Sequence, residues 1–215
     1  MKKNILSIIS LLALALSFTS CSKKEETGTG YIQFTNASEL SSPLDFYVSD
    51  SKKNNSALTY NQSTAYFPVS SKQQPAAIKV ALTGATDFAF QVTPMAGTYY
   101  SIFYFSKGAT IAYQDDLTMP ATGKARVRFV NLNVKSIAFN DFSISGGAKI
   151  ISNLESKLVS NYVDVEPGAD FIAYVAGSTT VVSNIPTDVE AGHIYTVYLS
   201  GEDVGSMKGN VLLQK

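Results

Sequence analysis

Four short blocks recur in the same order at an offset of about 95 residues, so the chain is one structural pattern built twice. Ile32-Gln33-Phe34-Thr35-Asn36 lines up with Val127-Arg128-Phe129-Val130-Asn131, and Asp45-Phe46-Tyr47-Val48-Ser49 with Asp141-Phe142-Ser143-Ile144-Ser145. Tyr66-Phe67-Pro68-Val69 meets Tyr162-Val163-Asp164-Val165. The run from Ala96-Gly97-Thr98-Tyr99 to Phe103 meets the run from Ala191-Gly192-His193-Ile194 to Tyr198. Four blocks kept in order at a near-constant spacing point to a tandem duplication, which resolves the length into two units.

Within each unit the apolar residues fall at every second position. Ile78, Val80 and Leu82 alternate with Lys79, Ala81 and Thr83, and Phe88, Phe90 and Val92 alternate with Ala89, Gln91 and Thr93. In the second unit Ala125, Val127 and Phe129 alternate with Arg126 and Arg128. This period predicts strands with one face on a core and the other toward solvent. Gly146-Gly147, Glu166-Pro167-Gly168, Ala176-Gly177-Ser178 and Glu190-Ala191-Gly192 supply the turns between them. About seven strands per unit at this spacing predict a β-sandwich. Tyr and Phe number 12 each, Trp is absent and charged residues make up 16%, a composition that suits sheets. Lys plus Arg and Asp plus Glu balance at 17 each, and loss of Lys2 and Lys3 with a signal leaves a slight acidic excess. That balance argues against nucleic acid as a partner.

The N-terminus reads as an address. Lys2 and Lys3 precede an apolar stretch from Ile5 to Phe18 that suits a secretory signal and is short for a bilayer span. Phe18-Thr19-Ser20-Cys21 resembles the lipobox of bacterial lipoproteins, which implies cleavage between Ser20 and Cys21 and acylation of the Cys21 thiol. Two or three acyl chains hold firmly where one binds reversibly. Cys21 is the sole cysteine, so with its thiol acylated the folded part has no disulfide. The polar segment that follows reads as a tether. Within it Lys24-Glu25-Glu26 is similar to the lysine-plus-acid signal that sends some lipoproteins to the outer face of the outer membrane. The expected location is therefore the outer membrane, lipid-anchored and facing the exterior.

The second unit carries a longer set of motifs: Arg126-Val127-Arg128-Phe129-Val130-Asn131, Asp141-Phe142-Ser143-Ile144, Val163-Asp164-Val165-Glu166-Pro167-Gly168, and Glu190-Ala191-Gly192-His193-Ile194-Tyr195-Thr196-Val197-Tyr198. Together they resemble the bacterial family called domain of unknown function 4397, closely over residues 125–200 and more loosely over 31–105. The resemblance implies secreted or lipid-anchored β-sandwiches, often in tandem, and brings no reaction and no binding residues. The expected organisation is all-β: a signal at 1–20, a tether at 21–30, and two antiparallel sandwiches of Ig-like or transthyretin-like kind. These occupy 31–117 and 125–215, joined by a linker at 118–124.

Candidate chemistry is sparse. His193 is the sole histidine and aligns with Thr98 just after a turn glycine, which favours a solvent-facing strand start over a catalytic base. One histidine and one acylated cysteine make no zinc site. Asp45 and Asp141 are equivalent and read as backbone caps. Asp164, Glu166 and Asp170 flank the Pro167-Gly168 turn without any calcium-loop spacing, and Asp115-Asp116 reads as solvated loop. The densest aromatic run includes Tyr99, Tyr100, Phe103 and Tyr104. One alternate set is expected in the core, and the other against the second unit or exposed as a platform for a glycan or partner. The sequence thus predicts a non-enzymatic surface lipoprotein without cofactor or metal, working in display, adhesion or envelope assembly. Its expected partners are the membrane and another envelope protein or a glycan. Capture of a glycan or small ligand for an uptake system is the alternative.

Overall fold

The computed structural model describes residues 28–134, 140–202 and 204–215. Ser20, Cys21, Lys24, Glu25 and Glu26, which carry the signal, anchor and export readings, lie outside them. The described chain is all-β, with seventeen strands and one short 3-10 turn. In the first unit the principal strands are β1 (Thr29–Asn36), β2 (Leu44–Val48), β6 (Gln74–Val80), β7 (Thr86–Val92), β8 (Tyr99–Ser106) and β9 (Ala109–Asp115). Shorter strands β3 (Ser51–Lys52), β4 (Gln62–Ser63) and β5 (Phe67–Ser70) fill the edges. The second unit runs β10 (Ala125–Asn133), β11 (Asn140–Ile144), β12 (Lys149–Leu154), β13 (Val163–Val165), β14 (Phe171–Val175), β15 (Val181–Ile185), β16 (Ile194–Gly201) and β17 (Lys208–Leu213).

Four sheets result, two per unit. The first unit has β4-β1-β8-β9, with β5 also on β1, facing β3-β2-β6-β7. The second has β13-β10-β16-β17 facing β12-β11-β14-β15. The duplication is visible in the register. Tyr31 stands opposite Tyr99 in the first unit, and Arg126 and Ile194, their sequence counterparts, stand opposite one another in the second.

Every pair in the ladders is antiparallel except β1 with β8 and β10 with β16, which are parallel and central to their sheets. Alternation reports which face of a strand is buried and says nothing of its neighbour's direction. β1 and β8 are separated in sequence by the whole facing sheet, a connection long enough to return the chain in the same sense. Two local expectations also shift. Thr29 and Gly30, assigned to the tether, pair with Ser70 and Val69 in β1. Leu82 is 92% exposed because β6 ends at Val80 and the chain turns there.

Each sandwich has its own apolar core, and rings at the same two positions meet in both. Phe34 and Phe46 lie 4.4 Å apart between ring centroids, and their counterparts Phe129 and Phe142 lie 4.7 Å apart. Burying each such ring contributes about 1.5–3 kcal/mol. A third cluster belongs to neither sandwich. It joins Ala37, Phe103 and Phe105 of the first unit to Val130, Leu132, Tyr198 and Leu212 of the second. The β1/β8 sheet and the β10/β16 sheet therefore pack face to face, and the molecule is a stack of four sheets with three cores.

Candidate functional site

The seam between the two inner sheets buries a polar network as well as apolar rings. Arg128, on β10, is 1% exposed, although alternation sends it to solvent with Arg126. Its guanidinium reaches across the seam to the carboxylate of Asp115 at the end of β9. It also donates to the Thr196 hydroxyl and the Gln114 carbonyl, both at 2.9 Å. Asp115 accepts further from Tyr66 at 2.6 Å and Ser101 at 2.9 Å. Asp115 is thus a buried strand residue and not solvated loop. The reason is the second unit, which covers the face of β9 that a lone sandwich leaves wet and brings a cation to match the acid.

Gln214 closes the network. It accepts from Tyr162 at 2.8 Å and donates to Tyr66 and Ser101, each at 3.3 Å. Burial raises the Tyr66 phenol well above its ordinary value, and the Asp115 charge pushes the same way. Burial likewise pushes Tyr162 up to about 12, against the pull of Arg128. Both therefore serve as neutral hydrogen-bonding groups at physiological pH.

Above this network the seam opens into a cleft of about 850 Å³. Tyr66, Asp115 and Gln214 contribute to its lining, with Tyr99, Thr98, Gln114, Asp116 and Thr118 among the other residues that border it. Tyr99 stacks on Tyr31 at 4.7 Å and packs edge-on with Tyr66 at 5.2 Å, so two tyrosines wall the cleft and a third backs them. The second unit has Arg126, Ile194 and Tyr162 at the equivalent places, so the grouping of three tyrosines belongs to the first unit alone. Hydrogen bonds from Thr118 lower the Asp116 carboxyl, which also pairs with Arg126 at 3.0 Å.

The aromatic candidates thus divide. Tyr99 borders the cleft, and Tyr100 lines a smaller recess of about 210 Å³ at the mouth of the first sandwich. Phe103 and Tyr104 form no exposed platform, being 0% and 2% exposed. Phe103 belongs to the inter-unit cluster and Tyr104 to the first core, where its hydroxyl donates to Asp87 at 2.6 Å. Successive strand residues point to opposite faces, and here both faces of β8 are covered.

The remaining acids act on backbone and side chains nearby. Asp141 accepts from the Asn153 and Gly177 amides at 2.8 and 3.0 Å and pairs with Lys149. Its counterpart Asp45, expected to cap backbone, instead accepts from the side-chain amide of Asn54 and pairs with Lys52, both at 2.8 Å. Asp164 caps Ala121, Glu166 pairs with Lys124, and Asp170 caps Thr187. Among the described residues no group of three His, Cys, Asp or Glu side chains is placed to hold a metal ion. His193 sits in the turn before β16, 3.2 Å from the Ala191 carbonyl and 3.8 Å from the Glu190 carboxylate.

Sequence reasoning missed Arg128, Gln214 and Tyr66 as site residues. A signal was present for one of them, since Tyr66 and Tyr162 open equivalent blocks of the repeat. Nothing local marks a charged residue on an alternating strand as buried.

Fold and cleft define a two-sandwich all-β module with a recess at the seam. The chain belongs to the family described as a domain of unknown function (DUF4397), whose model matches residues 30–140. That match takes in the first unit, the linker and β10, so the first unit is nearer the family than its long loop after β2 suggests. No curated protein matches the chain in sequence. Among solved structures, it is similar to a family 26 carbohydrate-binding module of Eubacterium rectale in complex with maltoheptaose, at 11% identity and a TM-score of 0.27. That likeness covers 87% of this chain and 97% of the other. A family 41 carbohydrate-binding module from streptococcal virulence factors, described for α-glucan recognition, shares 14% identity at a TM-score of 0.27, covering 86% and 97%. A putative polysaccharide-binding protein (DUF1812) of Bacteroides thetaiotaomicron shares 11% identity at 0.22, covering 84% and 97%. Likeness this distant carries no argument about what this chain binds.

Proposed function

We propose that this chain is a non-enzymatic binding module, held on the outer membrane by acylated Cys21 and facing the exterior, whose inter-unit cleft takes a glycan. Display, adhesion and envelope assembly all begin with such a contact, and capture for an uptake system uses the same site. The observation that carries the reading is the cleft, built by both units and walled by Tyr66 and Tyr99 beside amide, hydroxyl and carboxylate groups. Its volume lies within the range of about 300–1,000 Å³ typical of small-ligand sites. A sugar ring has an apolar face to lay on an aromatic ring and hydroxyls that both donate and accept. Gln114, Thr98 and Thr118 suit those hydroxyls. The two acids at the cleft are paired with Arg128 and Arg126, so the lining favours a neutral polyol over a cation.

Calorimetric titration with a panel of neutral and acidic oligosaccharides tests the ligand. Binding of one class, weakened tenfold or more by Tyr99→Ala or Gln114→Ala, is expected, and tenfold corresponds to about 1.4 kcal/mol. Binding untouched by both substitutions would sink the cleft assignment. For the anchor, Cys21→Ser should abolish metabolic lipid labelling, and protease shaving of intact cells should remove the protein. Persistent labelling, or protection beside an accessible control, would overturn those two parts separately.

A further inference from the structure

The seam is nearly self-complementary. Gln33 and Arg128 hold equivalent places on β1 and β10, opposite Ser101 and Thr196 on the parallel partner strands. Asp115 stands opposite Tyr99, and Gln214 bonds to the backbone of Ile194, the counterpart of Tyr99. Phe103 meets Tyr198, its own counterpart. Two copies of one patch that meet in this reciprocal way have the form of an isologous dimer interface, here closed within one chain. Its two related contacts differ in charge. On one side Arg128 pairs with Asp115, and on the other Gln33 donates to the Leu213 carbonyl at 3.3 Å.

We infer that this difference selects the partner: charge complementarity between positions 128 and 115 makes each unit accept the other unit and reject its own kind in a second copy of the chain. Two first units packed through this face would set both Asp115 side chains opposite Gln33. Two second units would set both Arg128 side chains opposite Gln214. The Arg128 and Asp115 side chains are 2% and 0% exposed, so either arrangement buries charges without a counter-charge. A buried charge that has lost its partner is far more costly than a neutral amide in the same place. Pairing of unlike units is the arrangement that cancels both charges. A second copy can satisfy the surface by exchanging whole units, and residues 116–124, which bridge β9 and β10, span about 30 Å when extended. The inference is independent of what the cleft binds.

Full-length Asp115→Arg and Arg128→Asp chains test it. Alone, the first sets two arginines against each other and the second two aspartates. Mixed, the first unit of each chain matches the second unit of the other. Refolding the two together, with light scattering after size exclusion, should give a 1:1 species of twice the chain mass that neither forms alone. Folded variants that give no 1:1 dimer on mixing would overturn the inference, as would variants that alone keep the wild-type Tm. Should the reversed chains fail to fold even when mixed, neutral variants decide. Arg128→Gln should lower Tm by roughly 6–20 °C, and Asp115→Gln with Arg128→Gln should recover most of that loss. Equal melting of the single and double variants would refute it.

Discussion

Phe103 and Tyr198 occupy the same position in their respective units and meet across the seam, with ring centroids 5.2 Å apart and planes inclined at 59°. Each is fully buried, and the Tyr198 hydroxyl donates to Asn61 of the other unit at 2.6 Å. The pair ties the two sandwiches into one body. Phe103→Ala should cost about 3–5 kcal/mol. Denaturant unfolding should remain a single transition with an unchanged m-value. Wild-type unfolding in two separate steps would show that the seam does not couple them.

Asp141 gathers Lys149 and two backbone amides, and its side chain is 1% exposed. Burial works against its charge, but the Lys149 contact and the Asn153 and Gly177 amides prevail and hold the carboxyl below its ordinary value. Asp141→Ala strands two donors and should cost about 2–3 kcal/mol, with Asp141→Asn costing less. A depressed folded value means that the unfolded chain takes up the proton first. The stabilisation is therefore complete above about pH 4 and is lost as pH falls through the folded value. The stability gap between wild type and Asp141→Asn should accordingly shrink below about pH 4. A gap that stays constant to pH 2 would contradict this.

Alkaline titration reads the other sign. Burial raises the phenols of Tyr66, Tyr104, Tyr113 and Tyr198 well above their ordinary value. The folded state keeps these protons more tightly than the unfolded chain, so their contribution is complete below about pH 10 and is lost above it. Absorbance of tyrosinate should show this buried set ionising only when the circular dichroism signal collapses. Full ionisation in one step before unfolding would contradict the burial of this set.

Gly209 lets the second sandwich close. A Cβ built there would stand 2.2 Å from Ile185 Cγ1, and the Gly209 amide donates to the Ser183 hydroxyl at 2.9 Å. Gly209 lies opposite Leu199, and its counterpart Thr110 lies opposite Tyr104 at a mouth that stays open. Gly209→Ala should cost about 1–3 kcal/mol by overpacking. Combined with Ile185→Ala, the loss should be smaller than the sum of the two single losses. Strict additivity would mean that the two positions do not press on each other.

The duplication, the strands and the two sandwich cores were legible because they are local. Phe129 is recognised by period-2 spacing and Phe34, Phe46 and Phe142 by their places in the repeated blocks, and Gly146, Gly168 and Gly177 mark turns by the positive φ that glycine accepts readily. The cleft was less legible. Tyr99 could be singled out in its aromatic run, whereas Tyr66 and Gln214, far from it in sequence, come to it through folding alone.

By itself the sequence determined that the chain is one β pattern written twice, and which face of its regularly alternating strands enters its own sandwich. Tertiary structure decided what covers the opposite face. Alternation distinguishes two faces of a strand but does not name the neighbour of the second, so Arg128 reads as outward-facing and the face of Phe103 stays open. Stacking the inner sheets buried both, paired the arginine with Asp115, and left at the edge of that seam the cleft on which the proposed function rests.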